Sequence, residues 1–173
     1  IPKLTYSENL IGRQFNFAPC PHRLGIYPVV DSSDWVKKLT AEGIKTIQLR
    51  VKNATAQQRH DEIKQAIHYC SEPIAFFVND YWQQAIEHQA YGVHLGQEDL
   101  HDANLIEIEQ AGLRLGVSTH SYWELARALA VNPSYIALGP IFETTSKTMP
   151  WAPQGIQRVE QWSQLLGKAY PFV

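Results

Sequence analysis

Carboxylates follow two apolar segments of this 173-residue chain at equivalent positions. Asp80 comes just after the run "IAFFV" (74–78), and Asp99 comes shortly after the run "YGVHLG" (91–96). A hard divalent cation such as Mg²⁺ typically takes one or two carboxylates from a protein and completes its coordination with water and substrate phosphate oxygens. If the fold brings the ends of both segments together, the two acids therefore predict a magnesium site.

Basic and hydroxyl groups follow two further apolar segments. In "QLRVK", the polar residues Gln48, Arg50 and Lys52 alternate, so on an extended strand their three side chains lie on one face. The stretch "FETTSK" adds a hydroxyl-rich group that ends in a lysine, namely Thr144, Thr145, Ser146 and Lys147. Cations beside a metal suit a diphosphate leaving group, because they stabilise the negative charge that develops as it departs.

The segments that carry these groups belong to a regular alternation of strands and helices. The predicted strands cover 24–31, 44–51, 74–80, 91–96, 113–118 and 135–142. The predicted helices cover 33–43, 55–70, 81–90, 102–112, 121–130 and 156–169, and the final "YPFV" looks like the start of another strand. Such an alternation predicts a parallel sheet with right-handed crossover connections.

Two closures of this sheet are compatible with the alternation, an open doubly wound sheet and an eight-stranded barrel. The segment "VVDSSDW" after the first predicted strand has no glycine, which argues against the phosphate loop of a dinucleotide-binding doubly wound fold. We therefore predict an α/β fold of the TIM (β/α)8 barrel type that lacks its last strands. Catalytic groups of such barrels lie at the C-terminal ends of the strands, where the groups above fall.

The composition argues against several functional classes. A formal net charge of −2 gives no overall basic field for nucleic acid or an anionic membrane, and no apolar run approaches the roughly 20 residues that span a bilayer. Two cysteines without metal-type spacing, and no visible signal peptide, favour a cytoplasmic protein. Residues 1–22 show no clear periodicity and are predicted to form an arm or linker, with the barrel domain over 23–173.

Several of the polar residues also have a purely structural interpretation. Asn79 and Asp80 are of types that cap helices, as are Asp99 and Asp102, and for Asp102 we prefer the capping role. His94 is expected inside the barrel as a hydrogen-bonded packing residue. Independent caps do not explain why so many polar groups fall at one end of one sheet, so we favour a shared site for the others.

Five strings of the sequence together resemble one enzyme family. In order, they are "QLRVK", "VND", "YGVHLGQED", "LGVSTH" and "IALGPIFETTSK", and they cover roughly residues 24–155. Their order and spacing are similar to those of the thiamine phosphate synthase (thiamine-phosphate pyrophosphorylase) family. The resemblance implies a TIM barrel and a Mg²⁺-dependent transferase. That transferase joins 4-amino-5-hydroxymethyl-2-methylpyrimidine diphosphate to a thiazole phosphate and releases pyrophosphate.

The resemblance also implies roles for individual residues. The pyrimidine diphosphate would be bound by the segment after the second strand and by an asparagine after the third, namely Gln48, Leu49, Arg50, Val51, Lys52 and Asn79. Asp80 and Asp99 would bind Mg²⁺, and Ser118 would hydrogen-bond the pyrimidine and orient it for catalysis. The thiazole phosphate would be contacted by Thr144, Thr145 and Ser146, and the diphosphate by the catalytic Lys147.

The implied reaction is dissociative, with departure of the diphosphate before the thiazole nitrogen attacks the methylene cation. Such a site needs no strong general base, in agreement with the lack of an obvious nucleophile–His–acid set in the sequence. The family usually has threonine where Ser146 stands, and it continues past its seventh strand with a Gly-Gly turn and a serine-bearing eighth strand. We therefore expect the chain to be part of a longer polypeptide.

Two other functions remain open from the sequence. The chain could be a paralogue of the thiazole tautomerase type with the same barrel, although that group is expected to lack parts of the cation and metal set. It could also be a non-catalytic remnant that binds a thiamine precursor or a protein partner. The segment 1–22 is, in addition, a candidate connection to another enzyme of the pathway.

Overall fold

Six parallel strands form one sheet in the computed structural model, which describes residues 15–70, 73–144 and 152–173. The strands are β1 (Val29–Val30), β2 (Thr46–Leu49), β3 (Ala75–Asn79), β4 (Gly92–Leu95), β5 (Arg114–Thr119) and β6 (Tyr135–Leu138). Each strand pairs with the next one along the chain, from β1 to β6. A doubly wound sheet reverses its strand order at a switch point. The sequential order therefore confirms the predicted barrel type, in a form without its last strands.

Helices cover the outside of this sheet. They are α1 (Ser33–Ala41), α2 (Ala56–Tyr69), α3 (Trp82–Glu87), α4 (Gln97–Asp102), α5 (Leu105–Gln110), α6 (Tyr122–Ala130) and α7 (Gly155–Leu166). After α7, Phe172 forms a parallel bridge to Ile136 of β6, as expected for the start of a further strand. Among the described residues, no helix combines the length and the apolar character needed to cross a membrane.

Side chains alternate between the two faces of the sheet. Ile47, Val78, Val93 and Leu115 are fully buried in the main core, which lies between the strands and the helices. The opposite face points into the barrel, since His94 of β4 contacts a residue of β6 across the interior. The strands are therefore apolar on the outside and carry their polar groups on the inside, toward the predicted site.

Two glycines make room for aromatic rings inside the barrel. A Cβ atom on Gly92 would lie 2.6 Å from Cε1 of Phe77, and one on Gly116 would overlap the ring of Tyr135. The rings of Phe77 and Tyr135 lie 5.1 Å apart and meet edge to face. The two rings therefore fill part of the barrel interior between β3 and β6.

Part of the segment predicted to be an arm packs on the barrel. Phe15 and Phe17 are buried in the main core. The carbonyl oxygen of Ala18 accepts a hydrogen bond of 2.7 Å from Ser134 Oγ, and that of Pro19 accepts one of 3.1 Å from Arg114 Nε. Because Arg114 begins β5 and Ser134 directly precedes β6, this segment lies across the N-terminal ends of these strands, opposite the predicted site.

The helix predicted over 102–112 begins only at Leu105, and a separate short helix, α4, ends at Asp102. This corrects the capping role predicted for Asp102. Asp102 is the last residue of α4, and the backbone of Ala103 is extended with ψ 143°. The N-cap of α5 is Asn104, which accepts a hydrogen bond from the backbone N–H of Glu107 and donates one to its carboxylate. Asn104 therefore caps this helix, which is the role predicted for Asp102.

Replacing Asn104 by alanine should lower the free energy of unfolding by about 1 kcal/mol, the usual cost of a lost N-cap. Asp102→Ala is the matched control, because its side chain has no capping role, and it should cost clearly less. Urea denaturation of both variants, with unchanged m-values, measures the difference. A larger loss for the Asp102 variant would contradict the assignment.

Candidate active site

A lysine and a carboxylate meet at the C-terminal edge of the sheet. Lys52 follows β2 by three residues and Asp80 follows β3 directly, and Lys52 Nζ lies 2.9 Å from Asp80 Oδ2. Since β2 and β3 are parallel neighbours, their ends reach the same edge, as the sequence predicted. The side chain of Asp80 is only 16% exposed, whereas that of Lys52 is 43% exposed, so the lysine reaches this carboxylate from the solvent side.

The backbone at Asp80 is itself unusual. Its φ is +66°, in the left-handed region that glycine, asparagine and aspartate enter most readily. Its N–H donates to the carbonyl oxygen of His94 at 2.9 Å, which continues the pairing of β3 with β4 for one residue. The N-cap of α3 is Tyr81, with no side-chain capping bond, so the carboxylate of Asp80 is not used to cap that helix.

A second carboxylate faces the first. Asp99 lies in the first turn of α4, directly after β4. Burial raises the pKa of Asp99. The negative charge of Asp80 and the hydrogen bond between the two carboxyl groups raise it further, while the positive charge of Lys52 lowers it. Two acids beside one lysine leave an excess of negative charge. Their oxygen donors fit the preference of Mg²⁺, so Asp80 and Asp99 are the residues that could hold this ion.

A chain of hydrogen bonds crosses the barrel interior beneath these acids. Ser118 Oγ lies 2.7 Å from His94 Nε2, and His94 Nδ1 lies 2.7 Å from the hydroxyl of Tyr135. That hydroxyl lies 2.7 Å from the one of Tyr27, which accepts a bond of 3.2 Å from Gln48 Nε2. The chain therefore connects Gln48 of β2 with Ser118 of β5, and it confirms the expectation that His94 is a hydrogen-bonded interior residue.

Burial raises the pKa of both tyrosines above the usual phenol range, so both hydroxyls stay protonated at neutral pH. Each can then donate one hydrogen bond and accept another. If Tyr27, which accepts from the amide of Gln48, donates to Tyr135, and Tyr135 donates to Nδ1 of His94, the proton of the imidazole lies on Nε2. His94 Nε2 then donates to Ser118, whose own proton is left for another acceptor.

The predicted residue Asn79 and a further amide, Gln97, lie beside this chain of hydrogen bonds. Asn79 is buried inside the barrel, opposite His94 in the register of β3 and β4. Gln97, at the start of α4, donates from Nε2 to the carbonyl oxygen of Ser118 at 2.7 Å. Its Oε1 is buried without a hydrogen-bond partner within the described ranges, so the acceptor of this amide is left unused.

The basic residues after β2 line an open cleft. Arg50 and Lys52 form one wall of a cavity of about 640 Å³, and Asp31 and Trp35 contribute to it from the β1 side. The intervening residues, Leu49 and Val51, are 1% and 6% exposed and pack in the main core, so their side chains do not reach this cleft. In "QLRVK", the polar residues and the core residues therefore alternate along the chain, as predicted.

The hydroxyl-rich stretch after β6 is described only in part. Thr144 is exposed. The remaining predicted residues of this stretch, Thr145, Ser146 and Lys147, lie outside the described residues. The structure thus brings together the predicted groups from β2 to β5, while the contribution expected from the β6 side stays a prediction.

Two residues of the polar chain were missed by the sequence analysis. Tyr27 and Tyr135 lie within apolar runs and have no motif spacing, and 108 positions separate them. The only sequence signal for an interior position of Tyr135 was the strand alternation, which puts Tyr135 and Ala137 on the same face of β6. The contact between the two hydroxyls depends on closure of the barrel.

A parallel β/α barrel with a lysine, two carboxylates and a buried polar chain at its C-terminal edge has the architecture of a barrel enzyme, with its site where such enzymes carry out catalysis. The profile of the thiamine monophosphate synthase family matches residues 26–173. The chain therefore belongs to this family. This confirms the resemblance that the five strings indicated, and with it the prediction of an enzyme of this kind.

Relatives agree with this membership, and a solved structure agrees with the fold. The chain is 55% identical to a thiamine-phosphate synthase of Pectobacterium atrosepticum over 158 residues, which are 91% of this chain and 74% of that protein. It is 56% identical to one of Serratia proteamaculans over 146 residues, 84% of this chain and 69% of that protein. The fold matches a thiamine phosphate pyrophosphorylase from Pyrococcus furiosus with a TM-score of 0.63, at 24% identity, over 86% and 83% of the two chains.

Proposed function

We propose that this chain condenses 4-amino-5-hydroxymethyl-2-methylpyrimidine diphosphate with a thiazole phosphate to give thiamine phosphate and pyrophosphate. The observation that carries the proposal is the grouping of Lys52, Asp80 and Asp99 at one sheet edge, next to the cleft lined by Arg50. Family membership gives the reaction its substrates, and this grouping gives the diphosphate a place to bind.

Asp80 and Asp99 would hold Mg²⁺ in this proposal. The ion would supply positive charge to the diphosphate oxygens and so favour departure of the leaving group. Lys52 and Arg50 would neutralise charge on the diphosphate from the β2 side, and Lys147 would do so from the β6 side. The raised pKa of Asp99 supports the assignment, because two acids that face each other are most stable as a charged pair when a cation lies between them.

Ser118 would orient the pyrimidine. With the tyrosine hydroxyls donating toward Nδ1 of His94, the hydroxyl proton of Ser118 would be free to donate to a ring nitrogen of the substrate. Because the chain of hydrogen bonds is buried, each group has a fixed direction before the substrate arrives. Asn79, which faces the same interior, would contact the same substrate.

The chemical step does not require a strong general base. The carbon–oxygen bond to the diphosphate breaks with both electrons leaving on oxygen, and the aminopyrimidine stabilises the remaining methylene cation. The thiazole nitrogen then forms the new carbon–nitrogen bond. Thr144, Thr145 and Ser146 would bind the thiazole phosphate. We place this reaction in the cytoplasm, supported by the free thiols of Cys20 and Cys70.

A coupling assay with both substrates and Mg²⁺ tests the function. We expect thiamine phosphate and pyrophosphate to form in equal amounts, and their formation to cease when Mg²⁺ is chelated. Calorimetry with each substrate alone separates the alternatives. Tight binding of the pyrimidine diphosphate without product would favour the non-catalytic remnant, and isomerisation of the thiazole without use of the diphosphate would favour the tautomerase.

The proposed Mg²⁺ site should depend on pH in a defined direction. The folded chain holds a proton on Asp99 more tightly than the unfolded chain, so without metal its stability should fall as pH rises from the ordinary carboxyl pKa through the raised one. Over the same interval Mg²⁺ affinity should rise, because the proton competes with the ion. Calorimetric titration with Mg²⁺ at mildly acidic and mildly alkaline pH measures this change.

The matched control is Asp99→Asn, which removes the titrating group. Its stability without metal should no longer fall over this pH interval, and its Mg²⁺ affinity should be low throughout. An equal Mg²⁺ affinity of the unaltered chain at both pH values would show that the proton and the ion do not compete for Asp99.

A further inference from the structure

Three potential metal ligands meet on the outside of the barrel, away from the carboxylates of the candidate active site. They are His60 of α2, Glu87 at the end of α3, and His88, which is the C-cap of α3. One ligand atom from each lies within 4.8 Å of the other two. The two imidazole rings are 4.7 Å apart and meet edge to face. The group thus joins two neighbouring helices at one point.

The separation of two of these ligand atoms matches a metal centre. Nitrogen and oxygen ligands lie about 2.0–2.2 Å from Zn²⁺, and a tetrahedral angle between them places them roughly 3.4 Å apart. His60 Nε2 and Glu87 Oε1 are 3.5 Å apart. This distance is long for a strong hydrogen bond between a ring nitrogen and a carboxylate, but it is suited to an ion that both atoms contact.

His60 also has the outer partner that metal-binding histidines usually have. Its other ring nitrogen, Nδ1, lies 3.3 Å from Oδ1 of Asp61, and that oxygen accepts a bond of 2.9 Å from Gln57 Nε2. A carboxylate at the far nitrogen fixes the ring orientation and makes the ligating nitrogen more basic. His60 is therefore held with Nε2 directed to Glu87.

His88 has an unused ring nitrogen. Its Nε2 is buried and has no hydrogen-bond partner among the residues that the structure describes. A buried polar nitrogen without a partner costs free energy, which a bound ion or a protonated neighbour would recover. His60, Glu87 and His88 together therefore offer the ligands of a two-histidine, one-carboxylate metal site.

We propose that His60, Glu87 and His88 bind a borderline transition-metal dication of the Zn²⁺ class. Two imidazoles with one carboxylate favour Zn²⁺, Co²⁺ or Ni²⁺ over Mg²⁺, which takes oxygen ligands almost alone. The partial exposure of Glu87 leaves the remaining coordination positions to water.

Such an ion would fasten α2 to α3. These helices follow β2 and β3, whose ends carry Lys52 and Asp80. A second contact already joins the same two regions, since the guanidinium carbon of Arg59 lies 3.9 Å from the centre of the Tyr81 ring. The bound ion would therefore act on the position of the Asp80 segment from outside the barrel, without contacting the substrate.

Titration of the metal-free full chain with Zn²⁺, in excess Mg²⁺, tests the proposal. We expect one Zn²⁺ per chain with a rise in melting temperature. His60→Gln and His88→Gln should each weaken Zn²⁺ binding by at least the roughly 10- to 100-fold typical of losing an outer partner of a metal ligand. Glu87→Gln should weaken it as well, and Asp61→Asn to a smaller extent.

Two matched controls separate this site from others. His68→Gln removes an exposed histidine two turns further along α2, and Asp80→Asn removes an acid of the candidate active site. Both should keep the Zn²⁺ affinity and the rise in melting temperature. Equal Zn²⁺ binding by the His60 and His88 variants and the unaltered chain would overturn the proposal, as would loss of binding in Asp80→Asn alone.

Discussion

Replacing Asp80 by asparagine should lower the rate of thiamine phosphate formation at saturating substrates by at least about 100-fold, the scale seen when one preorganised charge-stabilising group is removed. Asparagine is the informative substitution here. It tolerates the left-handed backbone at this position, with φ +66°, whereas alanine would add backbone strain to the loss of charge. The variant therefore removes the carboxylate of the proposed metal site and the ion pair with Lys52 while keeping the fold.

The measurement is pyrophosphate release as a function of Mg²⁺ concentration. In Asp80→Asn, the Mg²⁺ concentration for half-maximal rate should rise together with the fall in rate, because the remaining carboxylate of Asp99 binds the ion alone. Asp102→Asn is the control: it neutralises an exposed aspartate at the end of α4 and should leave both quantities unchanged. An unaltered Mg²⁺ dependence in Asp80→Asn would exclude Asp80 as a ligand.

The second large effect concerns stability. Gly116→Ala should destabilise the fold by about 1–3 kcal/mol or more, because the added methyl group overlaps the ring of Tyr135. That ring cannot move aside cheaply, since it is fully buried and its hydroxyl contacts His94 and Tyr27. Urea denaturation gives the difference in the free energy of unfolding.

Gly139→Ala is the matched control, because a Cβ atom at Gly139 meets nothing within 4 Å. A double variant tests the cause. Tyr135→Leu removes the ring. It should cost less stability in the Gly116→Ala background than in the unaltered chain, because in that background it also relieves the overlap with the added methyl group. Equal costs in the two backgrounds would mean that the ring is not the obstacle.

Much of the architecture was accessible from sequence because it depends on periodicity. The alternation of apolar strands and helices predicted the parallel sheet, and the positions of Lys52 and Asp80 at strand ends predicted their meeting. Parallel neighbouring strands leave few other arrangements for residues that directly follow them. The same reasoning anticipated the buried role of His94.

What the sequence did not predict depends on distant contacts or on single backbone angles. The first predicted strand over 24–31 pairs only at Val29–Val30, because strand assignment requires hydrogen bonds to a neighbour and not extended backbone alone. The extended backbone at Ala103, which separates α4 from α5 and delays the start of the helix predicted over 102–112, has no strong signal in residue type. The hydroxyl contact of Tyr27 with Tyr135 exists only once the barrel has curved.

The sequential strand order has a consequence for how the chain folds. Every strand from β2 to β6 pairs with the strand made just before it, so each strand–helix unit can add to the growing sheet after a modest loop closure. The segment that begins at Phe15 is the exception. Its partners Asn132 and Ser134 are synthesised more than a hundred residues later, at sequence separations of 117 and 116. We therefore expect this segment, although it is synthesised first, to dock on the barrel only after β6 has joined the sheet.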